Sequence, residues 1–282
     1  MTPELEQTLF AGSKKEWQPF GIPGAKQFDI HSKSGRAYRI FVYVPLSEPP
    51  AAGFPVFYLL DANAVFATAV EAVRVQGRRP EKTGVSPAVV VGIGYPADMP
   101  FVPDRFYDFT LPVPASELPV HPDGIEWPVQ GGAEAFLSFI EKELKPVIES
   151  RCSIDTSRQA IMGHSLGGLF VLHALFSKPE AFSTYIAGSP SIHWNKRALL
   201  EEERQFTARM QLEIRQLGIL LAAGQLEQGH ERRMTESAFE MAERLSSLSD
   251  RGIRAEYKEF EGEGHVSVLP GLISRALRFF LS

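Results

Sequence analysis

The chain has 282 residues, 44% hydrophobic and 22% charged, a composition that supports a sizeable core and argues against global disorder. Its formal net charge of -5 at pH 7 argues against nucleic acid or an anionic membrane as a partner. Cys152 is the single cysteine, which excludes an intramolecular disulfide and a cysteine-based zinc site, and no metal or other cofactor is expected.

Short apolar runs predict the strands of a sheet. The segment 37–45 alternates β-branched and aromatic residues, and 27–32 precedes it as an antiparallel partner. Later runs lack a polar face, which is typical of strands buried on both sides in a parallel sheet. These predicted strands are 55–60, 88–93, 159–163, 184–187 and 217–223, followed by a more polar edge strand at 254–260.

Helical patterns separate these strands, at 64–76, 132–150, 166–177, 229–249 and 268–281. Strands that alternate with helices imply right-handed crossovers and a sheet covered on both faces. We therefore predict one α/β domain over 1–282, with a mostly parallel sheet of about eight strands and an N-terminal extension at 1–25.

The segment 96–130 interrupts this alternation. It holds eight prolines and several aromatic residues but little periodicity, and long loops in compact domains are usually functional. We interpret it as a lid or a pocket wall. No apolar run approaches the ~20 residues of a membrane span, and the acidic first residues lack the pattern of a secretory signal. A cytoplasmic protein is the resulting expectation.

The strongest local motif is Gly-His-Ser-Leu-Gly-Gly at 163–168. A strand-like run precedes it and a helix-like run follows directly, as the sharp turn of a nucleophile elbow requires. Gly163 and Gly167 are expected because a Cβ at either position would clash in so tight a turn. We predict that Ser165 is the nucleophile of a hydrolase, with the following helix N-terminus favouring developing negative charge.

A serine hydroxyl needs a base, and in this arrangement the order along the chain is serine, acid, histidine. His173 falls on the apolar face of the helix after the elbow, which favours a packed histidine. His265 lies in a polar loop between the last predicted strand and the last predicted helix, from which it can reach the elbow. His265 is the predicted base.

The acid that orients His265 should follow the strand at 217–223. Glu227 is well placed in that loop, where it would fix the imidazole tautomer and stabilise the imidazolium. Glu231 is the alternative acid in the same loop.

An ester-cleaving serine also needs two donors for the oxyanion. One is expected to be the backbone N–H of Leu166. The other is expected from the loop after the strand at 55–60, with the Asn63 N–H favoured over that of Ala62. Asn63 could serve as a helix N-cap as well.

At these residues the chain resembles the esterase D-like branch of α/β-hydrolases, and within it the catecholate-siderophore trilactone esterases of the bacillibactin and enterobactin type. The resemblance covers roughly 27–281, and its restrictive motifs are LLDAN, GRRPEKTG and SPSIHWN. The stretches that carry it are FPVFYLLDANAVF (54–66), QGRRPEKTGVSPAVVVGIGYP (76–96), RFYDFT (105–110), GGAEAFLSFIEKELKP (131–146), GHSLGGLFVLHALF (163–176), SPSIHWN (189–195) and EGEGHVSVLP (261–270).

This resemblance implies the α/β-hydrolase fold and a small-molecule substrate, a ferric tris-catecholate on a cyclic ester backbone. Some relatives look like Ser–His dyads, so the family leaves the role of Glu227 open. A bulky trianion favours guanidinium groups and aromatic faces around the site. The expected substrate-binding residues are Arg78, Arg79, Lys82, Arg105 and Trp194.

Two other functions compete with this one. A broad carboxylesterase, of the feruloyl or S-formylglutathione type, would keep the same catalytic residues and change the substrate. A siderophore-binding protein without activity would keep only the fold, and it has no need of an activated serine.

Overall fold

An eight-stranded sheet is the frame of the computed structural model, which describes residues 20–118, 121, 123–229 and 232–282. Across the sheet the order is β1-β2-β4-β3-β5-β6-β7-β8, with β2 antiparallel to β1 and β4 and all other neighbours parallel. The strands are β1 Ala25–His31, β2 Ala37–Tyr43, β3 Phe54–Leu59, β4 Val89–Gly94, β5 Ile154–His164, β6 Thr184–Gly188, β7 Leu217–Gly224 and β8 Ile253–Phe260.

Helices connect the strands and cover both faces of the sheet. The α-helices are α1 Ala62–Gln76, α2 Pro80–Thr83, α3 Arg105–Asp108, α4 Ala133–Phe139, α5 Lys145–Arg151, α6 Leu166–Ser177, α7 Lys196–Met210, α8 Met234–Ser246 and α9 Leu269–Leu281. A π-helical segment, Ile140–Leu144, joins α4 to α5. Short 3-10 helices lie at Ala115–Glu117, Ile192–Asn195, Gln225–Glu227 and Ser249–Arg251.

The core has one layer on each face of the sheet. Every residue of β3, β4, β6 and β7 is buried, which explains why their sequences lack a polar face. Successive residues of β3 point to opposite faces, so Phe57 packs toward α1 and α9 whereas Tyr58 packs toward α4 and α6. The predicted mostly parallel α/β fold is confirmed.

Parallel strands place their following loops at one edge of the sheet. Because β3, β5, β6, β7 and β8 run in the same direction, the residues after each strand gather where these strands end. We call this the catalytic edge. It brings together chain segments that are more than 200 residues apart in sequence, from Asp61 to His265.

Several sequence-based boundaries change in the structure. Helix α7 was not predicted, although its buried Leu199, Glu203, Phe206 and Met210 follow a helical spacing. The predicted helix 229–249 begins only at Met234, and residues 230–231 lie outside the described part of the chain.

Parts of two predicted segments also lie outside the described residues. These are residues 1–19 of the N-terminal extension and residues 119–120 and 122 of the 96–130 segment. None of the helices in the part of the chain that the structure describes combines the length and apolarity that a membrane span requires.

Candidate active site

Ser165 lies in a one-residue turn between β5 and α6. Its backbone has φ 59° and ψ −117°, a conformation that residues other than glycine rarely adopt. Hydrogen bonds hold the turn on both sides: the Ser165 N–H donates to Gly188 O (2.9 Å), and its carbonyl accepts from Leu169 N (3.0 Å) and Ser191 N (3.1 Å). The hydroxyl is therefore carried on a fixed backbone at the catalytic edge.

The glycines around Ser165 differ in how much they are needed. A Cβ on Gly163 would come within 2.2 Å of Gly167 O, so only glycine fits there, as predicted. A Cβ on Gly167 would meet nothing closer than Asp61 Oδ2 at 3.4 Å, an ordinary contact, so the expected clash at Gly167 is wrong. The tight position is Gly168, where a Cβ would approach Gly188 O to 2.8 Å.

Glu227 and His265 form a hydrogen-bonded pair. Glu227 ends the 3-10 helix after β7, and its Oε2 lies 2.7 Å from His265 Nδ1. Its Oε1 accepts from Ser189 Oγ (2.7 Å) and from the Gly224 N–H (2.8 Å). Burial raises the pKa of Glu227, but the hydrogen bonds from His265, Ser189 and Gly224 outweigh it and hold the pKa below its ordinary value.

An ionised Glu227 fixes the tautomer of the base. Its Oε2 accepts a hydrogen bond from the N–H at His265 Nδ1, which leaves the lone pair of Nε2 available to accept a proton. Glu231, the alternative acid, lies outside the described residues.

His164 contacts the predicted base and directly precedes the predicted nucleophile in the chain. Its ring packs against that of His265, with 4.6 Å between centroids, and Ser165 is the next residue in the chain. Burial and the neighbouring His265 lower the pKa of His164 to about 3, so this imidazole is neutral. His173 is buried and pairs with Glu202 (2.9 Å), which agrees with its expected packing role.

Two serines of the SPSIHWN motif join the site, and neither was predicted from the sequence. Ser191 Oγ lies 3.3 Å from Ser165 Oγ, while Ser189 Oγ donates to Glu227. Ser189 is fully buried at φ 38°, an unfavourable conformation for a residue other than glycine. The available sequence signal was position, since both serines directly follow β6, the neighbour of β5.

The predicted oxyanion donors lie at two helix N-termini. Leu166 is the first residue of α6, and Ala62 and Asn63 are the first two of α1, where backbone N–H groups lack intrahelical acceptors. The Asn63 side chain does not cap α1. It donates to Tyr95 O (3.0 Å) and Ala97 O (2.7 Å) and accepts from Tyr95 N (2.8 Å), so it fastens the loop after β4.

Arg105 was expected to bind substrate, and the structure contradicts this. Its guanidinium is buried and forms a two-pronged ion pair with Asp61, Nε to Oδ1 at 2.8 Å and Nη2 to Oδ2 at 2.9 Å. Nη2 also donates to His164 O (3.3 Å). The side chain is therefore occupied by the protein itself.

Arg78, Arg79 and Lys82 lie away from the catalytic edge. They follow α1, a helix of 15 residues and about 22 Å, which leads from the catalytic edge to the opposite one. Gly84, two residues after Lys82, faces Ser282, which directly follows α9. Helix α9 starts four residues after His265, at the catalytic edge, so Ser282 lies at the far end of that helix. The chain direction thus places these cations opposite Ser165, and their expected role at the mouth of the site is corrected.

Trp194 is buried rather than presented to a ligand. Its ring packs edge-on against Trp127 at 4.6 Å and beside Phe106 at 5.7 Å, and its Nε1 donates to Gln130 Oε1 (2.9 Å). Trp194 therefore packs against residues of the 96–130 segment and stabilises that segment.

A cavity of about 270 Å³ adjoins the base. The residues that line it are Leu226, Glu227, Arg232, Met234 and His265. Arg232, which lines this cavity together with His265, was not among the residues predicted from the sequence. Two wider grooves, of about 820 Å³ and 700 Å³, lie elsewhere among the described residues and contain none of the predicted catalytic residues.

Comparison with known proteins agrees with this geometry. A family model described as "Putative esterase" matches residues 32–269. The chain belongs to this esterase family. It is 58% identical over 277 residues to the ferri-bacillibactin esterase BesA of Bacillus subtilis (strain 168), with 98% of this chain and 96% of that protein covered.

Two further relatives extend the comparison. The esterase is 35% identical over 292 residues to a siderophore enterobactin esterase of Emericella nidulans, covering 93% of this chain and 95% of that one. The crystal structure of the BES protein from Bacillus cereus has a TM-score of 0.88 and 42% identity, with 95% and 99% coverage. The expected α/β-hydrolase-type fold is confirmed.

The lowered pKa of Glu227 predicts a pH-dependent contribution to stability. We expect the wild-type esterase to exceed Glu227→Gln in free energy of unfolding at pH 6. Because the folded-state pKa lies below the ordinary 4.5, this advantage is fully present above pH 4.5 and disappears as the pH falls through the lower value. Urea unfolding of both proteins between pH 3 and 7 measures it. An advantage that grows toward acidic pH would contradict the ionised carboxylate.

Proposed function

We propose that this esterase hydrolyses the ester bonds of a catecholate siderophore trilactone of the ferric bacillibactin type. Similarity to the ferri-bacillibactin esterase over nearly the full length of both chains is the observation that carries the substrate class. The hydrogen-bonded Glu227–His265 pair beside the Ser165 elbow supports the chemistry. Ring opening would weaken the hold on iron, which is cargo of the substrate and not a cofactor. We propose that the reaction takes place in the cytoplasm.

In the acylation step, Ser165 Oγ attacks the ester carbonyl while His265 Nε2 accepts the hydroxyl proton. The oxyanion receives hydrogen bonds from the N–H groups of Leu166 and Asn63. The tetrahedral intermediate then collapses. The bond to the alkoxy oxygen breaks, His265 returns its proton to that oxygen, and a seryl ester remains.

In the deacylation step, His265 takes a proton from water and the resulting hydroxide attacks the seryl ester. Glu227 stays ionised and stabilises the imidazolium in both steps, because its two oxygens are already held by His265, Ser189 and Gly224. On collapse the bond between the acyl carbon and Ser165 Oγ breaks, and His265 returns its proton to Ser165 Oγ. This regenerates Ser165 and releases a carboxylic acid, so each ester bond consumes one water.

We propose that Arg232 provides positive charge for the substrate. It lines the cavity beside His265, where part of an anionic catecholate could rest while its ester bond reaches Ser165. In this proposal Arg232 replaces Arg78, Arg79 and Lys82 as a cation that contacts the substrate.

Product analysis tests the substrate class. We expect the wild-type protein to convert ferric and apo bacillibactin or enterobactin to linear trimer, dimer or monomer. We expect Ser165→Ala to bind but not cleave them, because the substitution removes the proposed nucleophile. Liquid chromatography with mass detection measures the products. Equal turnover of a short p-nitrophenyl ester and the trilactone would move the function to a broad carboxylesterase. Binding without any cleavage by the wild type would indicate a carrier.

A second experiment tests whether Glu227 completes a triad. We expect Glu227→Gln to lower kcat by about 10²- to 10⁴-fold, because the amide can stabilise the wrong imidazole tautomer and carries no charge for the imidazolium. Glu261→Gln, an exposed residue in the loop of His265, is the matched control and should keep kcat. Steady-state kinetics with the trilactone gives both values. A kcat for Glu227→Gln within about threefold of wild type would indicate a Ser165–His265 dyad.

A further inference from the structure

The two predicted oxyanion donors follow two of the strained residues of the catalytic edge. Asp61, with φ 52°, directly precedes Ala62 and Asn63, and Ser165, with φ 59°, directly precedes Leu166. Both residues occupy conformations that side-chain-bearing residues seldom adopt, so the surrounding structure has to hold them. The direction of each donor N–H depends on that backbone.

Arg105 contacts the backbone or side chain at both strained turns. Its Nε and Nη2 bind the two Asp61 carboxylate oxygens, and Nη2 reaches His164 O at 3.3 Å. The His164–Ser165 peptide is thereby held at its carbonyl by Arg105 and at its N–H by Gly188 O. The rotation φ of Ser165 relates this peptide plane to the Ser165 carbonyl carbon, and the Ser165 carbonyl is itself held by Leu169 N and Ser191 N. Because both sides of the rotating bond are held, φ of Ser165 is fixed.

The protein also fixes the position of the Arg105 guanidinium. Phe101 and Phe109 lie 5.6 Å and 5.4 Å from it, and the side chain is buried. Asp108, at the other end of α3, accepts hydrogen bonds from the Tyr38 and Tyr95 hydroxyls at 3.1 Å and 2.9 Å. Helix α3 is thus anchored to the sheet at Asp108 and presents Arg105 to the elbow.

We propose that Arg105 is a positioning residue that keeps the two oxyanion donors aimed at a common point. It acts through the Asp61 carboxylate and the His164 carbonyl and touches no substrate. This inference rests on the proposed serine-esterase mechanism and assigns part of the 96–130 segment a role in transition-state stabilisation. Loss of Arg105 should therefore lower kcat and leave KM nearly unchanged, because a misdirected donor weakens only the transition state.

Kinetics of Arg105→Ala and Arg105→Lys test this proposal, with p-nitrophenyl butyrate and the siderophore as parallel substrates. We expect kcat to fall about 10²-fold in Arg105→Ala and about 10-fold in Arg105→Lys, with KM within about twofold of wild type. Guanidinium ion added to Arg105→Ala should restore at least part of kcat, because it can occupy the space beside Asp61. Arg105→Lys carries the test if Arg105→Ala does not fold.

Arg244→Ala is the matched control. Arg244 forms a similar two-pronged ion pair with the buried Glu203, at 2.7 Å and 2.8 Å, between α7 and α8 and away from the catalytic edge. It should keep kcat even if its Tm falls. The proposal is overturned if folded Arg105 variants keep kcat within about threefold, if Arg244→Ala loses kcat equally, or if KM rises while kcat is unchanged. Failure of the mechanism itself would show instead as unchanged turnover in Ser165→Ala.

Discussion

Ser165 occupies a backbone conformation that typically costs about 1–3 kcal/mol, and the rest of the site is arranged around keeping it there. Its own N–H and carbonyl are both bonded, to Gly188 and to Leu169 and Ser191. Gly163 leaves room for the returning chain, because a Cβ there would meet Gly167 O. This conformation carries the hydroxyl at the catalytic edge and lets α6 begin at the next residue, Leu166.

The remaining polar groups of the site lie at the ends of the adjacent parallel strands β5 to β8, in the order of the strands. Ser165 directly follows β5 and Ser189 directly follows β6. Glu227 lies in the 3-10 helix after β7, and His265 lies in the loop after β8. Since neighbouring strands lie about 4.8 Å apart, side chains from successive strand ends can reach one another. The Ser189–Glu227–His265 chain of hydrogen bonds follows this spacing across the edge. The charge of Glu227 is stabilised by donors fixed before any substrate arrives, so little reorganisation is needed during the reaction.

The meeting of Glu227 and His265 near the Ser165 turn could be predicted from the sequence because it depends on chain order. The elbow motif, the loop histidine after the last strand and the acid after β7 each follow from strand and helix periodicity. The position of Arg78, Arg79 and Lys82 opposite the catalytic edge could also have been predicted from the sequence. A helix that follows a strand returns the chain to the opposite edge, and these residues come after such a helix.

The contacts of the Arg105 and Trp194 side chains could not be predicted from the sequence. Their side chains are the types that an anionic aromatic substrate favours, but tertiary packing decides whether the protein or the substrate uses them. The ion pair of Arg105 with Asp61 joins residues 44 positions apart, in segments with no shared periodicity. Ser189 was missed for a similar reason, since only the structure shows that its hydroxyl points to Glu227.

The nucleophile can be observed directly as a covalent intermediate. The esterase would be mixed with a slowly deacylated ester, quenched during turnover, digested and analysed by mass spectrometry with fragmentation. The account predicts the acyl mass on Ser165. Because Ser191 Oγ lies 3.3 Å from Ser165 Oγ, the measurement distinguishes between two neighbouring serines. An acyl group on Ser191, or unmodified serines while turnover proceeds, would contradict the account.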